Sequence, residues 1–187
     1  MAPKVKITKK DIIDTTVELI RQSGEEAINA RSIAAALNCS TQPIFFNFTS
    51  MEELYEEVVK SVYGIYGGFL SREVESGKYP AYKAFGMAYV RFASEETQLF
   101  RLLFMRNRNG EGITPTDDFS SSVEMIMKNV GLSQEKAELM HMEIWACVHG
   151  IATMIATSFF TPKWEDVSDM LSDVYQGLKA RHSTEDK

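Results

Sequence analysis

The sequence predicts an all-α protein of about nine helices. Apolar residues recur three and four apart in almost every segment, no stretch keeps a two-residue alternation, and the helix ends carry clear capping and stop signals.

Thr8 caps a first helix whose inward face is Ile12, Thr16, Leu19 and Ile20, and Gly24 supplies the left-handed residue that ends it. Asn29 caps a short second helix carrying Ile33, Ala34 and Leu37, stopped by Asn38. Ser40 is the expected cap of a third helix, Thr41 to Asn47, where Pro43 is tolerable because first-turn donors lack intrahelical partners. Ser50 with Glu53 reads as a capping box opening a long fourth helix through Leu54, Val58, Val62, Tyr66 and Phe69. Gly77 and Pro80 mark a break. A helix with Phe85, Ala88, Tyr89 and Phe92 follows, then a short one with Leu99, Leu102, Leu103 and Phe104. Residues 107–115 read as loop, and Thr116, Asp117 and Asp118 as cap and acidic first turn of a helix bearing Phe119, Val123, Ile126 and Val130. Ser133 opens the longest helix, expected to run towards Phe159, and Thr161 with Pro162 starts the last. In that last helix Trp164, Val167, Met170, Leu171, Val174, Tyr175 and Leu178 form the apolar positions, and the tail after Ala180 is expected to fray.

A chain of 187 residues with 44% hydrophobic composition can bury a core without a disulfide or metal staple. The net charge of −6 excludes a protein that coats nucleic acid by bulk electrostatics, so DNA contact requires a local patch. Up to Phe48 the basic groups Lys4, Lys6, Lys9, Lys10, Arg21 and Arg31 slightly outnumber Asp11, Asp14, Glu18, Glu25 and Glu26, which leaves the acidic excess to the rest. Cys39 and Cys147 form no paired or zinc-like spacing, and no leader-like segment is read at the start, so a reduced cytoplasmic setting is expected. The uncharged stretch from Ile144 to Phe160 contains His149, Gly150 and three hydroxyl residues and is read as a buried helix rather than a membrane span. No nucleophile elbow, P-loop or metalloprotease motif is present, and His141, His149 and His182 have no evident catalytic partners, so neither an enzyme nor a cofactor is expected. Glu143, Cys147 and His149 have no metal-ligand spacing, and no metal is expected.

Residues 29–48 place a short helix, a turn and a second short helix, the arrangement of a helix-turn-helix. Periodicity alone fits a helical hairpin of any α-bundle equally well. The wider order of landmarks is more specific: Gly24, Ile33-Ala34, Cys39-Ser40, Phe45-Phe46, Phe48, then Ser50-Met51-Glu52-Glu53-Leu54. In this order, from Ile12 to Leu54, the chain resembles the N-terminal domain of the TetR family. The resemblance implies a DNA-binding domain over residues 1–50 and a regulatory and dimerisation domain over residues 51–187. It also implies a DNA surface made by Lys9, Lys10, Arg31, Ser40, Thr41, Gln42, Phe45, Phe46 and Asn47. Thr41, Gln42 and Phe46 are expected at bases; Ser40, Asn47, Arg31, Lys9 and Lys10 at phosphates. The four N-terminal lysines, Lys4, Lys6, Lys9 and Lys10, fit either a DNA-contacting arm or a solvated one. Phe48 is expected in the core, and the pattern leaves Phe45 open between core and surface. Two departures stand out: Phe45 and Met51 occupy places where the family commonly has a tyrosine and a lysine that reach the DNA backbone.

The region after residue 80 is rich in methionine and aromatic residues that suit a core, and its Trp145, His149 and Gly150 run is similar to the Trp-His-Gly branch of the family; the resemblance implies an effector pocket there. Its expected lining is Phe92, Phe104, Met105, Met125, His141, Trp145 and His149, with a small, largely apolar ligand. Surplus apolar surface on the last two helices implies a partner, and the resemblance implies that it is a second copy, with Ile151, Ile155, Phe159, Val167, Leu171 and Val174 at the interface and a double-stranded operator bound by the homodimer. The function implied is a ligand-responsive repressor with no membrane partner; the alternative is a helical dimeric small-molecule-binding protein whose DNA-binding head is degenerate.

Overall fold

A computed structural model describes residues 7–106 and 119–184, which contain nine α-helices, one 3-10 turn and no strand. The loop over residues 107–115, the Thr116 cap and Lys4 and Lys6 lie outside the described residues. The chain forms two compact units: one holds residues up to Gly68 together with Glu96–Arg106, the other Phe69–Glu95 and the described residues from Phe119 on. A division at residue 50 does not match these units.

In the first unit, α1 (Lys9–Ser23) opens with a full capping box in which Asp11 N–H donates to Thr8 Oγ1 and Thr8 N–H donates to Asp11. Ile12, Thr16, Val17 and Ile20 face inward, and the buried Thr16 hydroxyl is satisfied by the Ile12 carbonyl at 2.7 Å. Gly24 ends α1 at φ +79°, before a 3-10 turn at Glu25–Ala27. Asn29 caps α2 (Ala30–Ala36) through Ser32 N–H at 2.9 Å, and Asn38, at φ 52°, turns the chain out of it.

The third helix departs from expectation at its start. α3 (Gln42–Asn47) has Thr41, not Ser40, at its N-cap, with no side-chain cap bond. Pro43 explains part of this, because it occupies a position whose N–H would normally receive the cap. Ile44 and Phe48 point inward, 0% and 2% exposed. α4 (Met51–Glu75) buries the expected Leu54, Val58, Val62, Tyr66 and Phe69 stripe, its residues shared between the two units after Gly68.

The Ser50 box is only half formed: Glu53 N–H reaches Ser50 Oγ at 3.2 Å, while the Glu53 carboxylate accepts from Thr49 N–H and Thr49 Oγ1 at 2.6 and 2.8 Å. It also takes Lys9 Nζ at 3.0 Å. The Thr49 backbone bond, then the Thr49 hydroxyl and Lys9, holds the Glu53 carboxyl down at about 2, against an ordinary 4.5. A depressed acid stabilises the fold above its unfolded pKa and loses that contribution as pH falls through the folded value. Glu53→Gln should therefore lower the melting temperature at neutral pH, and the gap to wild type should close as both are titrated from about 4.5 to about 2. A constant gap across that window would contradict this assignment.

α6 (Thr97–Phe104) belongs to this first unit and buries Leu99, Phe100, Leu102 and Leu103. A two-pronged ion pair fixes its entry: Arg21 Nε and Nη2 donate to Glu96 at 2.9 and 2.7 Å, and Glu96 raises the Arg21 pKa further.

The second unit is built on α5 (Ala81–Glu95), α7 (Phe119–Val130), α8 (Gln134–Ala156) and α9 (Trp164–Thr184). Its core gathers Met87, Tyr89, Phe92, Ile126, Met140, Ile144, Val148 and Val167. α8 is long and apolar enough to cross a membrane, yet it packs against α5, α7 and α9, which accounts for its uncharged run after Glu143. It stops at Ala156 rather than near Phe159, where Ser158 turns left-handed at φ 59°. α9 does not fray after Ala180: it continues to Thr184, and His182 is 1% exposed. The reason is a clasp onto α8, in which Glu143 meets His182 Nε2 at 2.9 Å and Arg181 Nη1 at 3.1 Å.

Candidate functional site

The helix-turn-helix presents one face of α3 to solvent. Because Ile44 and Phe48, four apart, point inward, Gln42, Phe45 and Phe46 must point outward, and they are exposed; Phe46 is 86% exposed and Phe45 52%. A large aromatic ring this exposed has no role in the fold's own core. Ser40 and Thr41 lie at the helix entrance, exposed and half-buried, and Arg31 is exposed on α2.

Two residues expected at phosphates have partners within the chain. Asn47 gives its side-chain amide to the Pro43 carbonyl at 2.8 Å and, more weakly, to the Ile7 carbonyl at 3.5 Å, and its remaining oxygen is an acceptor that a phosphate cannot use. Lys9 is half-buried, bound to Glu53 and 4.8 Å over the Phe48 ring. Lys10 is exposed but paired with Asp14, which raises its pKa. Glu53 lies 44 residues along the chain from Lys9, while Pro43 and Asp14 lie one helical turn from Asn47 and Lys10, so residue type alone did not reveal that these groups are engaged.

The residues expected to form the pocket are divided between the units. Phe104 meets Tyr66, Phe100 and Tyr63 at ring separations of 5.5, 5.3 and 6.4 Å in the first unit, where Met105 caps α6 and is 39% exposed. In the second unit, Phe92 is fully buried with its ring 5.3 Å from Phe69, and Met125 is half-buried on α7. Trp145 stacks on His149 at 5.0 Å and Phe119 stands edge-on to both Trp145 and His141.

His141 lines a cavity of about 550 Å³ between α7 and α8, with Phe119, Val123, Met127 and Met142 as apolar lining and Glu124, Gln134 and Glu138 at polar positions. Sequence reasoning missed the tyrosines that hold the histidines: Tyr82 and Tyr89, seven apart on α5, place their hydroxyls 2.8 Å from Nδ1 of His141 and His149. The matching spacing, eight along α8, was the available signal. Burial pushes the Tyr82 hydroxyl well up and His141 down, so at neutral pH a phenol O–H faces a neutral imidazole. With Tyr82 donating to Nδ1, the ring proton sits on Nε2, a buried atom with no hydrogen-bond partner among the described residues.

The expected dimer residues divide between core and surface: Ile151, Ile155, Val167 and Leu171 are buried within their own unit, while Phe159 is 82% exposed and Val174 half-buried. The periodicity identified apolar stripes, but α5 and α8 use that side of α9. The apolar residues left outward are Leu139 and Met142 on α8 and Met170 on α9, beside Ala146, Gly150 and Gly177.

Residues 12–58 match the model of bacterial regulatory proteins of the tetR family, and residues 82–175 match that of the tetracyclin repressor-like C-terminal domain. Over 174 residues the chain is 20% identical to the uncharacterized HTH-type transcriptional regulator YobS of Bacillus subtilis (strain 168), covering 92% of this chain and 91% of that protein. The crystal structure of a TetR-like transcriptional regulator from Rhodococcus sp. RHA1 has a similar fold, with a TM-score of 0.68 at 13% identity over 94% of this chain and 97% of that one. With both characteristic domains in order on one chain and the helix-turn-helix presented by α3, this protein belongs to the TetR family of DNA-binding transcriptional regulators.

Proposed function

We propose that this regulator is a cytoplasmic homodimeric repressor, released from its operator by a small, largely apolar effector and acting by binding rather than by turnover. The observation that carries this reading is the outward face of α3, where Gln42, Phe45 and Phe46 stand in solvent while Ile44 and Phe48 anchor the helix from behind. An amide can make paired hydrogen bonds to an adenine edge and an aromatic ring can contact a thymine methyl. Ser40, Thr41, Arg31 and Lys10 stand around that face as candidate phosphate contacts.

The outward Leu139, Met142, Ala146 and Gly150 of α8, with Met170 and Gly177 of α9, support a two-fold interface with a second copy. Such a dimer would set two α3 helices one DNA turn apart, about 34–36 Å. The His141 cavity supports an effector with an apolar body and one hydrogen-bond acceptor seated at Nε2. Effector binding would act on the head through α4, whose residues belong to both units.

The alternative, a dimeric ligand-binding protein with a degenerate head, is favoured by one observation: Lys9, Lys10 and Asn47 are engaged by partners within the chain. Fluorescence anisotropy on the duplex upstream of its own gene decides between them. Specific, salt-sensitive binding is expected; no preference over random duplex at low and high salt alike would sink the repressor reading.

A further inference from the structure

We propose that Lys83 forms the head of a second ligand site, separate from the His141 cavity, that takes an amphipathic carboxylate. Lys83 is the one charged side chain between Pro80 and Arg91, on an otherwise apolar stretch of α5. It is half-buried, and its ammonium donates to Ser168 Oγ and Ser172 Oγ on α9, both at 2.7 Å, beside the Tyr79 ring at 5.0 Å. Among the described residues it has no ion-pair partner. An ammonium has three donors, so one remains for an anion.

The space it borders is a cavity of about 460 Å³ with an apolar floor of Gly86, Ile144, Val148 and Leu171. That volume falls within the range of about 300–1,000 Å³ of small-molecule sites. Gly86 keeps this floor open to its neighbours: a Cβ there would stand 3.1 Å from Leu171 Cδ1. Gln176 and Asn129 add hydrogen-bonding groups to the lining of the cavity. The chemistry is a single half-buried cation over an apolar bed, which fits a carboxylate head on a hydrocarbon body. The His141 cavity offers the opposite: Glu124 and Glu138 line it, so an anion is repelled there. Tyr82 lines the Lys83 cavity and bonds His141 of the other cavity, so the two cavities have no lining residue in common and one hydrogen bond between them.

The test is direct titration of the purified full chain with decanoate, decanol and decylamine by calorimetry, which reads binding without reference to DNA. Wild type is expected to prefer decanoate over both analogues, and Lys83→Met and Lys83→Gln to bind decanoate about tenfold or more weakly, a loss of about 1.4 kcal/mol per decade. Lys83→Arg should restore most of the affinity, and Lys60→Gln, on an exposed position of α4, should leave it unchanged. Acetic anhydride labelling of wild type gives a readout that needs no variant: decanoate should protect Lys83 and leave Lys60 reactive. Equal affinity for the three ligands, a Lys83→Met variant that binds decanoate as wild type does, or unprotected Lys83 would overturn the proposal. Absence of any effect of ligands on operator binding would instead count against the repressor reading alone.

Discussion

Gln42→Ala is expected to lower affinity for the selected operator by about 1–3 kcal/mol, about 5- to 150-fold, while leaving binding to random duplex nearly intact. Gln42 is exposed at the first position of α3, and its side chain holds up nothing in the head, so the loss should appear in recognition and not in folding. Arg31→Ala provides the contrast. Arg31 is exposed on α2 with no ion pair among the described residues, so its removal should weaken operator and random DNA alike and flatten the salt dependence. Competition anisotropy against a duplex pool measures both, and equal losses on specific and random DNA from Gln42→Ala would remove that residue from base reading.

Phe48→Ala should destabilise the head by about 3–5 kcal/mol, the cost of emptying a buried aromatic site. Phe48 is 2% exposed, carries Lys9 over its ring, and sits directly after α3, so its loss withdraws the support that turns Gln42 and Phe46 outward. Both tryptophans, Trp145 and Trp164, lie in the second unit, which makes the prediction divisible. Denaturant unfolding followed by far-ultraviolet circular dichroism should begin earlier in the variant, with the tryptophan fluorescence midpoint unmoved. Coincident shifts in both signals would show that the two units unfold together and that the loss is not confined to the head.

The same contrast between local and distant interactions explains what could be read in advance. The Thr8, Asn29 and Ser133 caps, the Gly24 and Asn38 stops and the α4 stripe were legible because each depends on residues within about one turn of the chain. Ser40 failed as a cap for an equally local reason, the missing N–H of Pro43. The exposure of Gln42 and Phe46 followed from the inward spacing of Ile44 and Phe48. Phe45, which the pattern left open, is on the surface.

The sequence by itself determined the all-α class, the helix order and the helix-turn-helix, since hydrophobic period and end signals are properties of neighbouring residues. Only the tertiary structure decided which surfaces and charges are free. It placed α6 with the head through Arg21 and Glu96, 75 residues apart in the chain, and spent Lys9 on Glu53. It also buried Ile151, Ile155, Val167 and Leu171 inside the unit, and held the end of α9 through His182 and Glu143. An apolar stripe states that a residue will leave water, and a charge states that it will seek a partner. Which neighbour accepts it is settled by segments that meet only after the chain has folded.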